Sequence, residues 1–297
     1  MAKDAKDRSI FKGTDKRIHT FLGLGDGKTT DQKSTCRRLT SGPKGMPSFD
    51  TLLSNLYDLI EGNRRERMPS PTQPSQENWR INDKRETSIS EKNRSPEILL
   101  ERAIARLGKR GQLKDWFNQV PVASGLIDHK ADKRAAIDLL RFTGDRAEFV
   151  ELKWESNTPV FAAFEILLYG LVYLFARVNR GAFKYQKKRL MNVNKVSLRV
   201  LAPRAYYTDY HLEWLEQGLD EGVRAFAAKK IGGALTMGFN FLAFPRDFAP
   251  DFSPPYATGE EVRQKFGRPM DAEACRFLVS AMSKLEPAFR SGGREHS

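Results

Sequence analysis

The sequence is poor in soft metal ligands and in covalent cross-links. Two cysteines, Cys36 and Cys275, and four histidines are spread over 297 residues. Neither cysteine belongs to a CxxC pair or a Cys/His cluster, so no zinc site or disulfide framework is implied and a reducing, cytoplasmic setting is expected. The opening residues MAKDAKDRSIFKG lack an apolar core and carry Asp4 and Asp7, which argues against a secretory signal or transit peptide. Long apolar runs are scarce too. The one approaching membrane length, Pro159 to Ala176, contains Glu165 and lies between strand-like segments. It reads as a buried core helix, and no membrane partner is expected. Acidic residues are also in deficit: 37 against 50 Lys and Arg, a net charge of +13. The expected partner is therefore anionic, nucleic acid before any membrane surface.

Hydrophobic residues make up 40% of the chain, low enough to suggest that part of it does not fold. The N-terminal third is the candidate. From Met1 to Pro47 basic residues outnumber acidic ones eleven to five, with apolar residues scattered among Gly, Ser, Thr and Lys. GLGDGKTT (23–30) is no phosphate loop: the GxxxxGK[ST] spacing needs glycine at 22, where Leu22 stands. Phe49, Leu52, Leu53, Leu56, Leu59 and Ile60 recur at helical spacing behind Ser48, and MPSPTQPSQ (68–76) reads as a linker. The expectation is a largely disordered basic arm and linker over 1–94, with one short amphipathic helix near 49–61, followed by a folded domain over 95–290.

That domain opens at Ser95-Pro96-Glu97, a helix cap, a proline at the first helical position and an acid at the positive helix end. The helix runs to Gly108 and carries Glu97 and Glu101 on one side. A strand follows over 116–124, near a sheet edge because Pro121 interrupts it. Beyond it the pattern predicts a hairpin, a helix over 159–179, a strand over 196–202, a helix over 209–229, a strand over 234–244, a loop over 245–269 and a closing helix over 271–285. The sequence has no internal repeat.

The hairpin carries the chemistry. KRAAIDLLRF, TGDRA and EFVELKW are two apolar runs about a Gly-Asp turn. With the turn centred between Gly144 and Asp145, partner numbers sum to 289, which sets Asp138 opposite Glu151 with Lys153 on the same face. Like charges opposed across a sheet repel. The face is otherwise apolar (Ala136, Leu140, Phe149), so a bound divalent cation is the economical explanation. Carboxylates suit Mg²⁺ or Mn²⁺, and Lys153 would orient water or offset negative charge developing on a phosphate.

The order of a helix with Glu, a strand, a strand with Asp, a strand with Glu-x-Lys, a helix and a strand resembles the PD-(D/E)xK nuclease superfamily over about Ser95 to Ala202. The resemblance rests on Asp138 in AAIDLL and on Glu151 and Lys153 in FVELKW. It implies an α/β, restriction-endonuclease-like fold with a mixed central sheet flanked by helices. It also implies a Mg²⁺- or Mn²⁺-dependent nuclease with Asp138, Glu151 and the Leu152 carbonyl on the metal and Lys153 as the catalytic cation. Glu101, or else Glu97, would complete the acidic set. FEILLYG is similar to the QxxxY motif of some members, with Glu165 in place of Gln and Tyr169 as the tyrosine; Ile137 stands where the family's name has proline. Tyr169 would bond a phosphate or a water, and Glu165 would support the site.

Arg177 to Arg204 carries nine basic residues and no acidic one. Lys187, Lys188 and Arg189 are its candidate phosphate contacts, with DNA the expected substrate. Two other readings remain: a nucleic-acid-binding module that does not cleave, and a regulatory protein that docks through its 49–61 helix.

Overall fold

The computed structural model describes residues 9–67, 73–90, 92–93, 95–128, 131–248, 259–267 and 270–289. At its centre a six-stranded sheet has the spatial order β1 (Trp116–Pro121), β2 (Ala136–Thr143), β3 (Arg146–Leu152), β4 (Lys195–Ala202), β5 (Thr236–Ala243), β6 (Glu286–Pro287). The first three strands are antiparallel neighbours, β3, β4 and β5 run parallel, and β6 is antiparallel to β5. The architecture is α/β, with a mixed open sheet flanked by helices.

Eight α-helices among the described residues surround it: α1 (Thr14–Phe21), α2 (Lys33–Cys36), α3 (Phe49–Arg67), α4 (Pro96–Lys109), α5 (Pro159–Val178), α6 (Glu213–Ile231), α7 (Gly259–Phe266) and α8 (Ala272–Ser283). Leu140, Phe149, Leu198 and Phe241 join one core with α1, α3, α5 and α6. Leu139, Val150, Leu201 and Leu242 join a second core with α4, α7 and α8 on the opposite sheet face. The one-residue alternation of strand side chains assigns neighbours to opposite cores.

The caps follow the local chemistry. Ser95 Oγ accepts from Ile98 N at 3.4 Å ahead of Pro96, and Thr158 Oγ1 accepts from Phe161 N at 3.1 Å ahead of Pro159. Helix α5 is long and apolar enough to cross a membrane, yet 83% of its 18-residue window is buried inside the fold. Its Gly170 lets Leu198 of β4 press against the helix backbone, where a Cβ would collide.

The hairpin register holds as expected. Leu139 faces Val150, Leu140 faces Phe149 and Thr143 faces Arg146, each pair summing to 289. Gly144 has φ of 61° while Asp145 does not have positive φ, the pattern of a type II′ turn. The edge position of β1 holds too.

The N-terminal expectation needs correction. Residues 1–8, 68–72, 91 and 94 of the arm and linker lie outside the described residues, but 9–67 do not form a free arm. Ile10, Ile18, Leu22, Leu53, Leu56 and Ile60 are buried in the first core. The ring of Phe49 is seated on α6 where Gly218 and Gly222 leave room, and Tyr57 packs edge-on against Phe226 at 5.5 Å. The linker contributes as well: Trp79 is 1% exposed, 6.0 Å from the ring of Phe149 and 5.3 Å from Tyr173. Averaged composition hid these residues, because few apolar side chains at the right spacing suffice to dock on an existing apolar surface. A smaller correction is α7, which forms within the stretch expected to be loop; residues 249–258 and 268–269 of that stretch lie outside the described residues.

Docking of α3 has a measurable consequence. Leu56→Ala is expected to lower the unfolding free energy by about 2–5 kcal/mol in urea titration. An arm that merely hung from the domain would lose less than about 0.5 kcal/mol.

Candidate active site

Five elements meet at the end of the hairpin away from its turn. One step beyond the last paired residues, the observed register sets Asp138 of β2 opposite Glu151 of β3. Asp138 Oδ2 accepts the Leu152 N–H at 3.1 Å, so the carboxylate lies against the peptide between Glu151 and Lys153. Glu151 is 4% exposed and Lys153 6%. The Lys153 ammonium donates to Glu151 Oε1 at 2.7 Å and to Glu165 Oε2 of α5 at 3.0 Å, bridging strand and helix.

Helix α4 supplies the fourth carboxylate. Glu101 of α4 is 3% exposed and accepts from Arg102 Nη1 at 2.6 Å, Asn118 Nδ2 at 2.6 Å and Gln119 Nε2 at 3.1 Å. Successive strand residues normally point to opposite faces. Here Gln119 is left-handed (φ 52°) and drops out of the β1–β2 ladder, which lets Asn118 and Gln119 both reach the same carboxylate. A non-glycine residue held in that region stores backbone strain, a feature common beside functional groups. The amides of Asn118 and Gln119 went unremarked in the sequence, although two adjacent amides in an apolar strand, WFNQVP, are the visible signal.

Glu97 has a different task. Its Oε1 accepts the Trp154 N–H at 2.9 Å and the Ser156 hydroxyl at 2.5 Å, fixing the chain as it leaves β3. Of the two acids on α4, Glu101 is the one buried among the site's amides.

Burial pushes Glu101 up to about 7, with the charge of Asp138 adding to the shift. Burial likewise raises Asp138 to about 6 against the pull of Lys153, and Glu151 rises well above its ordinary value from burial and then from Asp138 and Glu165. For Lys153 burial acts downward, but Glu151, Glu165 and Asp138 together prevail and raise it, so the ammonium keeps its proton. Burial, followed by the charges of Glu165, Glu151 and Asp138, raises Tyr169, whose hydroxyl is thereby a donor rather than a base.

Among the described residues, no three Asp, Glu, His or Cys side chains close on one point as a ready metal cage. The carboxylate oxygens at hand are those of Asp138, which accepts the Leu152 N–H, and of Glu151, with Lys153 lodged between Glu151 and Glu165.

The basic segment is placed elsewhere. Arg189 stacks over Phe142 at 3.9 Å, near the turn of the hairpin, and Lys188 lies 4.9 Å over Tyr185 with its ammonium donating to Gln76 O. Phe142 is four residues along β2 from Asp138, about 13 Å at strand rise. Lys187, Lys188 and Arg189 therefore do not join the acidic cluster. The periodicity of a strand could not say to which end of the sheet the following loop returns.

No protein-family model, no curated protein and no solved structure matches this chain.

The raised carboxyls give the metal-free protein a pH signature. Glu101 at about 7 and Asp138 at about 6 hold protons that the unfolded chain, at 4.5 and 3.8, releases earlier. The stability they contribute is present at low pH and is lost as pH rises from about 4 to about 7. Thermal melting in EDTA should show this loss in the native chain and a flatter profile in Asp138→Asn/Glu101→Gln. Identical slopes for the two proteins would contradict it.

Proposed function

We propose that the chain is a metal-dependent phosphodiesterase acting on nucleic acid, DNA first, on a fold of the restriction-endonuclease-like type. The observation that carries the proposal is the convergence of Asp138, Glu151, Lys153 and Glu101 at one end of the sheet, where burial and repulsion raise three carboxyls together. Structural ion pairs are usually exposed and nearly balanced in charge. This cluster is neither, and perturbed carboxyls gathered in that way mark functional sites.

The donor set suits a hard divalent cation, since Asp138 and Glu151 offer carboxylate oxygens and the Leu152 carbonyl is a third candidate ligand. Bound Mg²⁺ or Mn²⁺ supplies Lewis acidity that polarises a phosphate and makes water more acidic. The rest falls to the protein. Lys153 stays protonated and offers N–H donors to negative charge developing on the phosphate. Glu165 holds that ammonium toward α5. Tyr169, one turn further along the same helix, donates its hydroxyl to a phosphate oxygen or a water. Glu101, held by Arg102, Asn118 and Gln119, adds negative charge beside Asp138 and favours cation binding there. A net charge of +13 gives the long-range attraction for a polyanion, and Lys187, Lys188 and Arg189 are phosphate contacts for nucleic acid that extends past the site.

The lodging of Lys153 between Glu151 and Glu165 favours a second reading, a nucleic-acid-binding module in which the ion pair is structural and no bond is cut. One experiment separates the two. Linear, circular and single-stranded DNA, and RNA, are incubated with the protein and Mg²⁺ or Mn²⁺. Cleavage should vanish in EDTA and fall at least about 100-fold in Lys153→Ala and in Asp138→Asn, each checked for folding by thermal melting. Salt-sensitive binding without cleavage would support the second reading, and cleavage insensitive to both substitutions would sink the first.

A further inference from the structure

Helix α5 is buried at 16 of its 20 positions. Apart from Val178 at its end, the exceptions are Phe161, Glu165 and Tyr169, one per turn on a single side. The stripe faces a cleft of about 750 Å³ whose other wall is the N-terminal segment from Ser9 to Asp15 with the start of α1. That wall is held in place. Asp132 accepts from Ser9 Oγ at 2.7 Å and from Ile10 N at 2.8 Å, while Asn63 of α3 donates to Ile10 O at 3.0 Å and Lys12 O at 2.9 Å. Between the anchors the strap presents Phe11, only partly buried, 5.9 Å from the ring of Tyr169 and tilted 54° to it. Lys12 on the strap and Arg134 on the approach to β2 bring exposed cations to the same opening. At its inner end Glu165 leads directly to Lys153, whose ammonium also lies 6.0 Å over the ring of Phe161.

We infer that this cleft takes single-stranded nucleic acid, with bases against Phe11, Phe161 and Tyr169 and phosphates against Lys12 and Arg134. What the strand is delivered to rests on the phosphodiesterase reading of the adjoining cluster. Aromatic faces beside cations are the general means of holding single strands, because unpaired bases expose the faces that a duplex hides. The pinned strap limits the opening: its volume is that of a ligand pocket, roughly 300–1,000 Å³, not of an open duplex groove. Two carboxylates that share the cleft are engaged: Asp132 by the strap and Glu165 by Lys153. A third, Asp15, is exposed in the first turn of α1 at the cleft wall.

The test is fluorescence anisotropy of the full chain in EDTA, where cleavage is suppressed. The probes are labelled DNA and RNA strands of about 16 nucleotides, together with the blunt duplex of the same sequence. Single strands should bind at least about tenfold tighter than the duplex. Phe11→Ala and Lys12→Ala/Arg134→Ala should each weaken single-strand binding by about tenfold, and Phe11→Trp should retain it. Thermal melting confirms that each variant is folded. Equal affinity for strand and duplex, or a Phe11→Ala protein that binds single strands as the native chain does, would overturn the inference. Because binding is read in EDTA, a chain that never cleaves would overturn the phosphodiesterase reading alone. Metal-dependent cleavage by a chain that shows either of those binding results would overturn this inference and leave that reading standing.

Discussion

Lys153 holds together a group of charges that would otherwise separate. Glu151 and Glu165 both lie on its ammonium, Asp138 raises its pKa from beside the same strand, and Arg102, paired with Glu101, adds a second cation. Removing one partner of a buried pair of this kind generally costs about 3–5 kcal/mol, because the other charge is left without water or counter-ion. Packing alone gives no reason to keep such an arrangement, since apolar residues of similar volume would serve the fold as well. Low exposure strengthens each of these interactions, and the raised carboxyls of Glu101 and Asp138 are its direct consequence.

The surrounding structure supplies that burial from two sides. The sheet is sandwiched between two cores, and the site sits where α4 from one layer and α5 from the other reach the same end of the hairpin. Leu140 and Phe149 continue the charged face of the hairpin into the first core and make it dry. The left-handed kink at Gln119 has the same purpose, because it turns an edge strand into a clamp for Glu101. The N-terminal segment completes the enclosure. Its helices cover α5 and α6, and Ser9 to Asp15 form the outer wall of the cleft that opens on Glu165 and Tyr169.

Much of this could be read from the sequence where local rules dominate. A Gly-Asp turn between alternating apolar runs fixed the hairpin register, and with it the juxtaposition of Asp138, Glu151 and Lys153. Ser95-Pro96 and Thr158-Pro159 marked two helix starts by chemistry that acts within four residues. The resemblance left Glu101 or Glu97 of α4 as the further acid, and the amides that hold Glu101 mark it as the one buried there. Long-range facts were less legible. Phe11, Trp79 and Asp132 are isolated in sequence, and their roles depend on contacts more than forty residues away, such as Trp79 with Phe149 and Asp132 with Ser9. The end of the sheet at which Lys187 to Arg189 lie is another such fact: after α5 the chain returns to the turn end of the hairpin before entering β4.

The central claim is that this buried carboxylate group exists to hold a divalent cation. Its most direct test is anomalous diffraction from crystals soaked in Mn²⁺. The account predicts a manganese peak in contact with the carboxylates of Asp138 and Glu151, with the Lys153 ammonium displaced from Glu151. A crystal that takes up manganese elsewhere, or not at all, while Lys153 remains between Glu151 and Glu165, would contradict it.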